Sequence, residues 1–181
     1  MQGLAAAQTA VEQGEWAEAL DLLAASGSAA ASAEGLELLA QAEYGNGGFE
    51  ASVSAWEQLH ALLLADDDIA GAARAAAMVA MFLMMDTGLM APVRGWLRRA
   101  ERLLQGHDET PAHALIAVVR GYERFMSGDM DAARMFSALA IELGGRLGVN
   151  PAVIIGRVCA ARVRVFDGHV DAGLDLLDEI A

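Results

Sequence analysis

The sequence predicts an all-α protein, a solenoid of about five antiparallel helix pairs. Three observations carry that prediction. A short glycine turn recurs along the chain, apolar residues between the turns fall at helical spacing, and alanine and leucine dominate a chain with only 3 prolines in 181 residues. The clearest turn is Ser127-Gly128-Asp129-Met130-Asp131-Ala132-Ala133. The same slots read Gln13-Gly14-Glu15-Trp16-Ala17-Glu18-Ala19, Gly47-Gly48-Phe49-Glu50-Ala51 and Asp167-Gly168-His169-Val170-Asp171-Ala172-Gly173, with a degenerate copy at Gly88-Leu89-Met90-Ala91-Pro92. Aligning Gly14, Gly47, Gly88, Gly128 and Gly168 gives offsets of 33, 41, 40 and 40 residues, the period of a helical repeat array. Glycine at such a turn leaves one helix in the left-handed conformation, the next residues start a second, and the small residue lets the two touch.

The first pair is predicted at Leu4 to Val11 and Trp16 to Leu23, with Trp16, Leu20 and Leu23 on one stripe. Ala25-Ser26-Gly27-Ser28-Ala29 reads as a flexible connector. Ser32 then caps a helix through Tyr44, which ends at the glycine-rich 45–48, and Phe49 to Leu64 forms its partner. The carboxylates of Asp66-Asp67-Asp68 precede Ile69 and suit a helix N-terminus; a metal site there would need further ligands from elsewhere. Ile69 to about Asp86 is the longest first helix and carries Met78, Met81, Met84 and Met85. Pro92 fits the first turn of the next helix, with Trp96, Leu97, Ala100, Leu103 and Leu104 on its apolar face and Arg94, Arg98, Arg99 and Arg102 on its wet face. Thr110-Pro111 and Asn150-Pro151, 40 residues apart, open the first helices of the last two pairs: Ala112 to Met126 with Met130 to Leu147, and Ala152 to Phe166 with Val170 onward. The units are therefore 1–27, 32–65, 67–105, 110–148 and 150–181 of a single repeat domain. Its last helix leaves an apolar face uncapped, which points to a longer array or to pairing with another chain.

Composition narrows the function classes. The formal net charge of −13 disfavours direct nucleic-acid binding, and all twelve basic residues are arginines from Arg74 onward, so residues 1 to 73 form an acidic end. A lysine-free, alanine-rich chain matches the codon usage of a high-GC genome, and it can hold neither a lysine nucleophile nor a phosphate-binding Gly-x-x-x-x-Gly-Lys-Ser/Thr loop. The single Cys159 forms no internal disulfide and reads as an inert buried thiol. No membrane span or secretory signal is evident, which places the chain in the cytoplasm. His60, His107, His113 and His169 are dispersed, and no spacing suggests a metal ligand set or a nucleophile–base pair; loop or surface roles are expected for them.

Gln-Gly-Glu-Trp-Ala-Glu-Ala-Leu at 13–20 resembles the consensus turn of tetratricopeptide (TPR) repeats, and 127–140 keeps the small residues where that family has them. The third and fifth units depart from it, with Val93 and Gly173 where alanine is usual. The 40-residue period and the phrase Val93-Arg94-Gly95-Trp96-Leu97-Arg98-Arg99-Ala100-Glu101-Arg102-Leu103-Leu104 are similar to the helical-repeat region of LuxR-type, MalT-like transcriptional regulators of high-GC bacteria. The resemblance implies a right-handed superhelix that docks a signal or a partner, while a separate domain reads DNA. No constellation of acid, base and nucleophile appears, so a non-catalytic module without cofactors is expected and an enzyme is only the third reading. An independent adaptor, docking a partner or dimerising through its C-terminal helix pair, is the other reading.

In that family the first helix of each pair lines the groove. Counting back from the glycines brings Met78, Phe82, Met85, Tyr122, Phe125, Met126, Arg162 and Phe166 toward it, where methionine and aromatic groups suit an adaptable peptide or effector site; the competing reading is that they fill the core. Arg124 and Arg164 are equivalent in successive units and, with Arg120 and Arg157, form either a basic stripe for an acidic ligand or a structural ladder paired with Asp129, Asp131, Asp167 or Glu123.

Overall fold

The computed structural model describes residues 2–180, and among them every regular element is a helix. The order is α1 Gln2–Gln13, α2 Trp16–Ala25, a 3₁₀ segment Gly27–Ala31, α3 Ala33–Gly45, α4 Phe49–Ala65, α5 Ile69–Thr87, α6 Met90–Leu103, α7 Pro111–Met126, α8 Met130–Leu147, α9 Asn150–Phe166 and α10 Val170–Asp178. Odd-numbered helices are the first of each pair and even-numbered ones the second. Each packs on its sequence neighbours, and α5, α7 and α9 also touch in succession.

The repeated turn has one physical basis. At Gly128 (φ +79°) the backbone turns left-handed, so that Gly128 N donates to Phe125 O (3.0 Å) and Asp129 N to Arg124 O (3.0 Å). This closes the last carbonyls of α7, and the Asp129 carboxylate then caps α8 by accepting from Ala132 N at 3.2 Å. The same bond pair forms at Gly14, Gly47 and Gly168. At the α4–α5 turn it forms around Asp67, a non-glycine residue held at φ +60°. The degenerate turn is different in kind: Leu89 N donates to the Thr87 hydroxyl (3.1 Å), a side-chain substitute for a backbone acceptor.

The core is a succession of local clusters. Leu4, Leu23 and Leu38 anchor the first; Trp56, Leu59, Val79 and Phe82 the second; Val93, Leu97, Ile116 and Val119 the third; Val118, Ala140 and Leu143 the fourth. Each burial removes apolar surface worth about 1.5–3 kcal/mol per large side chain. The departures from the repeat consensus are accommodated. Val93 is fully buried, and a Cβ at Gly173 would lie 2.5 Å from Val165 Cγ2, so glycine is what lets α10 close on α9.

Three local expectations are corrected. The connector is not open chain, since 27–31 winds into the 3₁₀ segment, held by Ala29 N→Ser26 O (3.2 Å) and leading to Ser32, which caps α3 through Gly35 N (3.1 Å). His60 is no surface residue: it is buried, its Nδ1–H donating to Ala72 O at 2.8 Å and its ring standing edge-on to Trp96 at 5.3 Å. Arg94 leaves the wet face of α6 to reach Glu123 of α7. Helix α5 is long and apolar enough to cross a membrane, with mean hydropathy 1.5, yet half of that stretch is buried within the solenoid against its neighbouring helices.

Candidate ligand and partner site

The first helices bring α5, α7 and α9 side by side, and between them lies an open cleft of about 390 Å³ lined by Met81, Met84, Met85, Tyr122, Met126, Ile155 and Arg162. Tyr122 and Arg162 sit six residues before Gly128 and Gly168, so the repeat itself places them one above the other. The Arg162 guanidinium stacks over the Tyr122 ring, 5.5 Å from its centroid. Burial pushes the Tyr122 hydroxyl above its ordinary pKa, against the opposing charge of Arg162, and keeps it neutral and able to donate at physiological pH. Arg162 forms no ion pair with any described residue.

Exposed apolar side chains stand on the same three helices. Met85 is 61% exposed, Met126 57% and Phe166 70%, and Phe166 leans edge-to-face on Phe125 at 5.1 Å. All three lie within three residues of the turn glycines Gly88, Gly128 and Gly168.

Of the residues expected in the groove, Met85, Tyr122, Met126 and Arg162 meet in the cleft, and Phe125 and Phe166 form their aromatic pair on neighbouring helices. None of Phe125, Phe166, Phe82 and Met78 lines the cleft, and the last two are drawn into the core. Phe82 is buried against Tyr44 (centroids 4.5 Å) and Trp56 (6.3 Å), and Met78 packs on the same cluster. Met81 and Met84 line the cleft instead, each one residue before a counted position, Phe82 and Met85, with Ile155 completing the wall from α9.

The four arginines expected as a basic stripe do not present one. Arg120 is buried and bonded to Glu101 (2.5 Å) and Glu123 (3.3 Å); Arg124 contacts Glu123 (3.3 Å) and Asp129 (3.5 Å); Arg157 pairs with Glu179 at 2.6 Å. Arg164 alone of the four is exposed and has no ion pair with a described residue. The hub is Glu123, fully buried, which accepts from Arg94 Nε at 2.6 Å as well. Burial alone would raise its pKa, but hydrogen bonds from Arg94 and Arg120 and the charge of Arg124 hold it below the usual carboxylate range. The hub braces α6 against α7.

At the other end of the array a second cleft of about 240 Å³ lies between α1 and α3, lined by Gln8, Val11, Glu12, Glu34, Glu37, Leu38 and Gln41. Glu37 is clamped there by both terminal nitrogens of Arg74, at 2.6 and 2.5 Å. No group of His, Cys, Asp and Glu among the described residues is arranged to hold a metal ion. Burial raises the Cys159 thiol, outweighing its hydrogen bond with Ser137, so it is a poor nucleophile.

Helix pairs joined by a left-handed glycine, with their first helices lining common clefts, define a TPR-like α-solenoid. Solved structures agree with it. A Podosopora anserina protein described as a kinesin light chain with nearly identical TPR-like repeats matches with TM-score 0.63 and 14% identity, over 99% of this chain and 92% of that one. A second structure of that protein, carrying a glutamine-to-methionine substitution, matches with TM-score 0.64 and 15% identity, over 99% and 91%. Identity at that level carries the fold and not the partner. No family model matches the sequence, and no curated protein matches it.

Proposed function

We propose that the chain is a non-catalytic interaction and ligand-sensing module of the cytoplasm that docks a partner protein over α5, α7 and α9. The supporting observation is the coincidence of an apolar cleft, with Met85 and Met126 exposed in its lining, and an exposed Phe166 on α9, the helix that forms one of its walls. Placing a photo-crosslinking side chain at Phe166, and separately at Arg98 on α6, tests it in the source cells. Cross-links to a discrete protein from position 166 alone are the expected result; equal or absent cross-linking from both positions would overturn the docking surface.

The similarity of 93–104 to MalT-like regulators supports a finer reading: one stretch, with more repeats beyond the five units, of a LuxR-type regulator whose DNA contacts are made elsewhere in the chain. An immunoblot of the source cells checks it, with a band several times 18.9 kDa expected. The exposed Leu174 on α10 favours the alternative of a free-standing adaptor that dimerises there, and a band near 18.9 kDa selects that alternative.

A further inference from the structure

We propose that the cleft between α5, α7 and α9 binds a free medium-chain acyl carboxylate. The inference rests on the reading of this cleft as the recognition site and names the chemistry it takes. The lining offers thioethers, an aliphatic side chain and an aromatic face, with two strong polar groups, the Tyr122 hydroxyl and the Arg162 guanidinium. An extended peptide laid in this cleft would bring an N–H and a C=O with every residue, and each buried group without a partner is costly. Two side-chain groups cannot satisfy them. An acyl chain carries no polar group along its length and one at its end, which is the distribution the cleft presents.

The volume agrees, since about 390 Å³ falls at the small end of the roughly 300–1,000 Å³ typical of small-molecule sites. The sign of the charge follows from the lining, which contains one cation and no acid. Arg162 forms no ion pair with a described carboxylate, and its guanidinium over Tyr122 is the group suited to a bidentate carboxylate. Methionine side chains re-pack around chains of differing length at little cost.

The test uses the full chain with ¹³C-methyl methionine, titrated with hexanoate, octanoate, decanoate and dodecanoate below their aggregation thresholds. Saturable shifts are expected at Met81, Met84, Met85 and Met126 and not at Met130 or Met135. Each added methylene should tighten binding about fourfold until the cleft is full. Decanoate should bind about fivefold more tightly than decanol, as a part-exposed ion pair allows, and decyltrimethylammonium should bind more weakly than either. Arg162→Gln, an exposed position, should erase the preference for decanoate over decanol while leaving the shared apolar affinity. Absence of saturable decanoate binding, equal affinity for decanoate and decanol in the unaltered chain, or shifts confined to the exposed Met85 and Met126 would each overturn the acyl site. Cross-links from Phe166 in the absence of acyl ligand report separately on protein docking, so that failure of the acyl site is distinguished from failure of the docking surface.

Discussion

The clefts at the two ends of the solenoid share a geometry and differ in chemistry. Six residues before the turn glycine, the α1–α3 cleft has Gln8 and Gln41, whereas the α5–α7–α9 cleft has Tyr122 and Arg162. Two residues before it, Glu12 corresponds to Met126; thirteen before it, Glu34 corresponds to Ile155. The backbone is indifferent to these slots, because the turn glycines and the buried alanines already fix the hairpins. The repeat therefore separates two sets of positions, with fold encoded at the small residues and cleft chemistry at a handful of groove positions. The arginine distribution deepens the contrast, since all twelve lie from Arg74 onward and several brace α7 around Glu123.

Removing that brace should have the largest effect. Glu123→Ala leaves Arg94, Arg120 and Arg124 facing an empty buried site, and a loss of about 3–5 kcal/mol is expected in chemical denaturation. The pH dependence has a definite sign. The folded pKa of Glu123 lies below its unfolded value, so its contribution is complete above the unfolded pKa, near 4.3, and disappears as the pH falls through the lower folded value. Thermal scans below about pH 5 should show a steeper acid loss for the unaltered chain than for the variant.

Gly173→Ala asks how tightly α9, one wall of the apolar cleft, is backed by α10. With Val165 Cγ2 at 2.5 Å and Ala161 O at 2.9 Å from the added Cβ, overpacking should cost about 1–3 kcal/mol, visible as a lowered melting temperature. Tyr122→Gln with Met126→Glu writes the slots of the acidic cleft into the apolar one. Decanoate affinity by calorimetry should fall at least tenfold, equivalent to about 1.4 kcal/mol, while helicity by circular dichroism is retained. The smallest change is a gain. Asp67 holds a left-handed backbone that glycine adopts freely, so Asp67→Gly should raise stability by about 0.5–1 kcal/mol.

Most of the backbone was legible because left-handed glycines and Thr110-Pro111 or Asn150-Pro151 starts impose local geometry whatever surrounds them. Side-chain destinations were less so. His60 sits mid-helix among apolar residues, and only the approach of the Ala72 carbonyl from the next helix makes it a core residue. Phe82 and Met81 are neighbours on a helix, so an error of one position in unit three, whose turn uses Thr87, exchanges core for cleft. Glu123 carries no motif: its importance arises from Arg94 on α6 and Arg120 and Arg124 on its own helix converging on one carboxylate.

The neighbour-only packing also bears on how quickly the molecule assembles. Among the described side-chain hydrogen bonds, the farthest reach spans 37 residues, from Arg74 to Glu37. Loop closure over such distances costs little chain entropy, and topologies dominated by local contacts reach the native state in microseconds to milliseconds. Each hairpin can form as it emerges during synthesis and dock on the one before it, so the nascent chain need not wait for distant sequence.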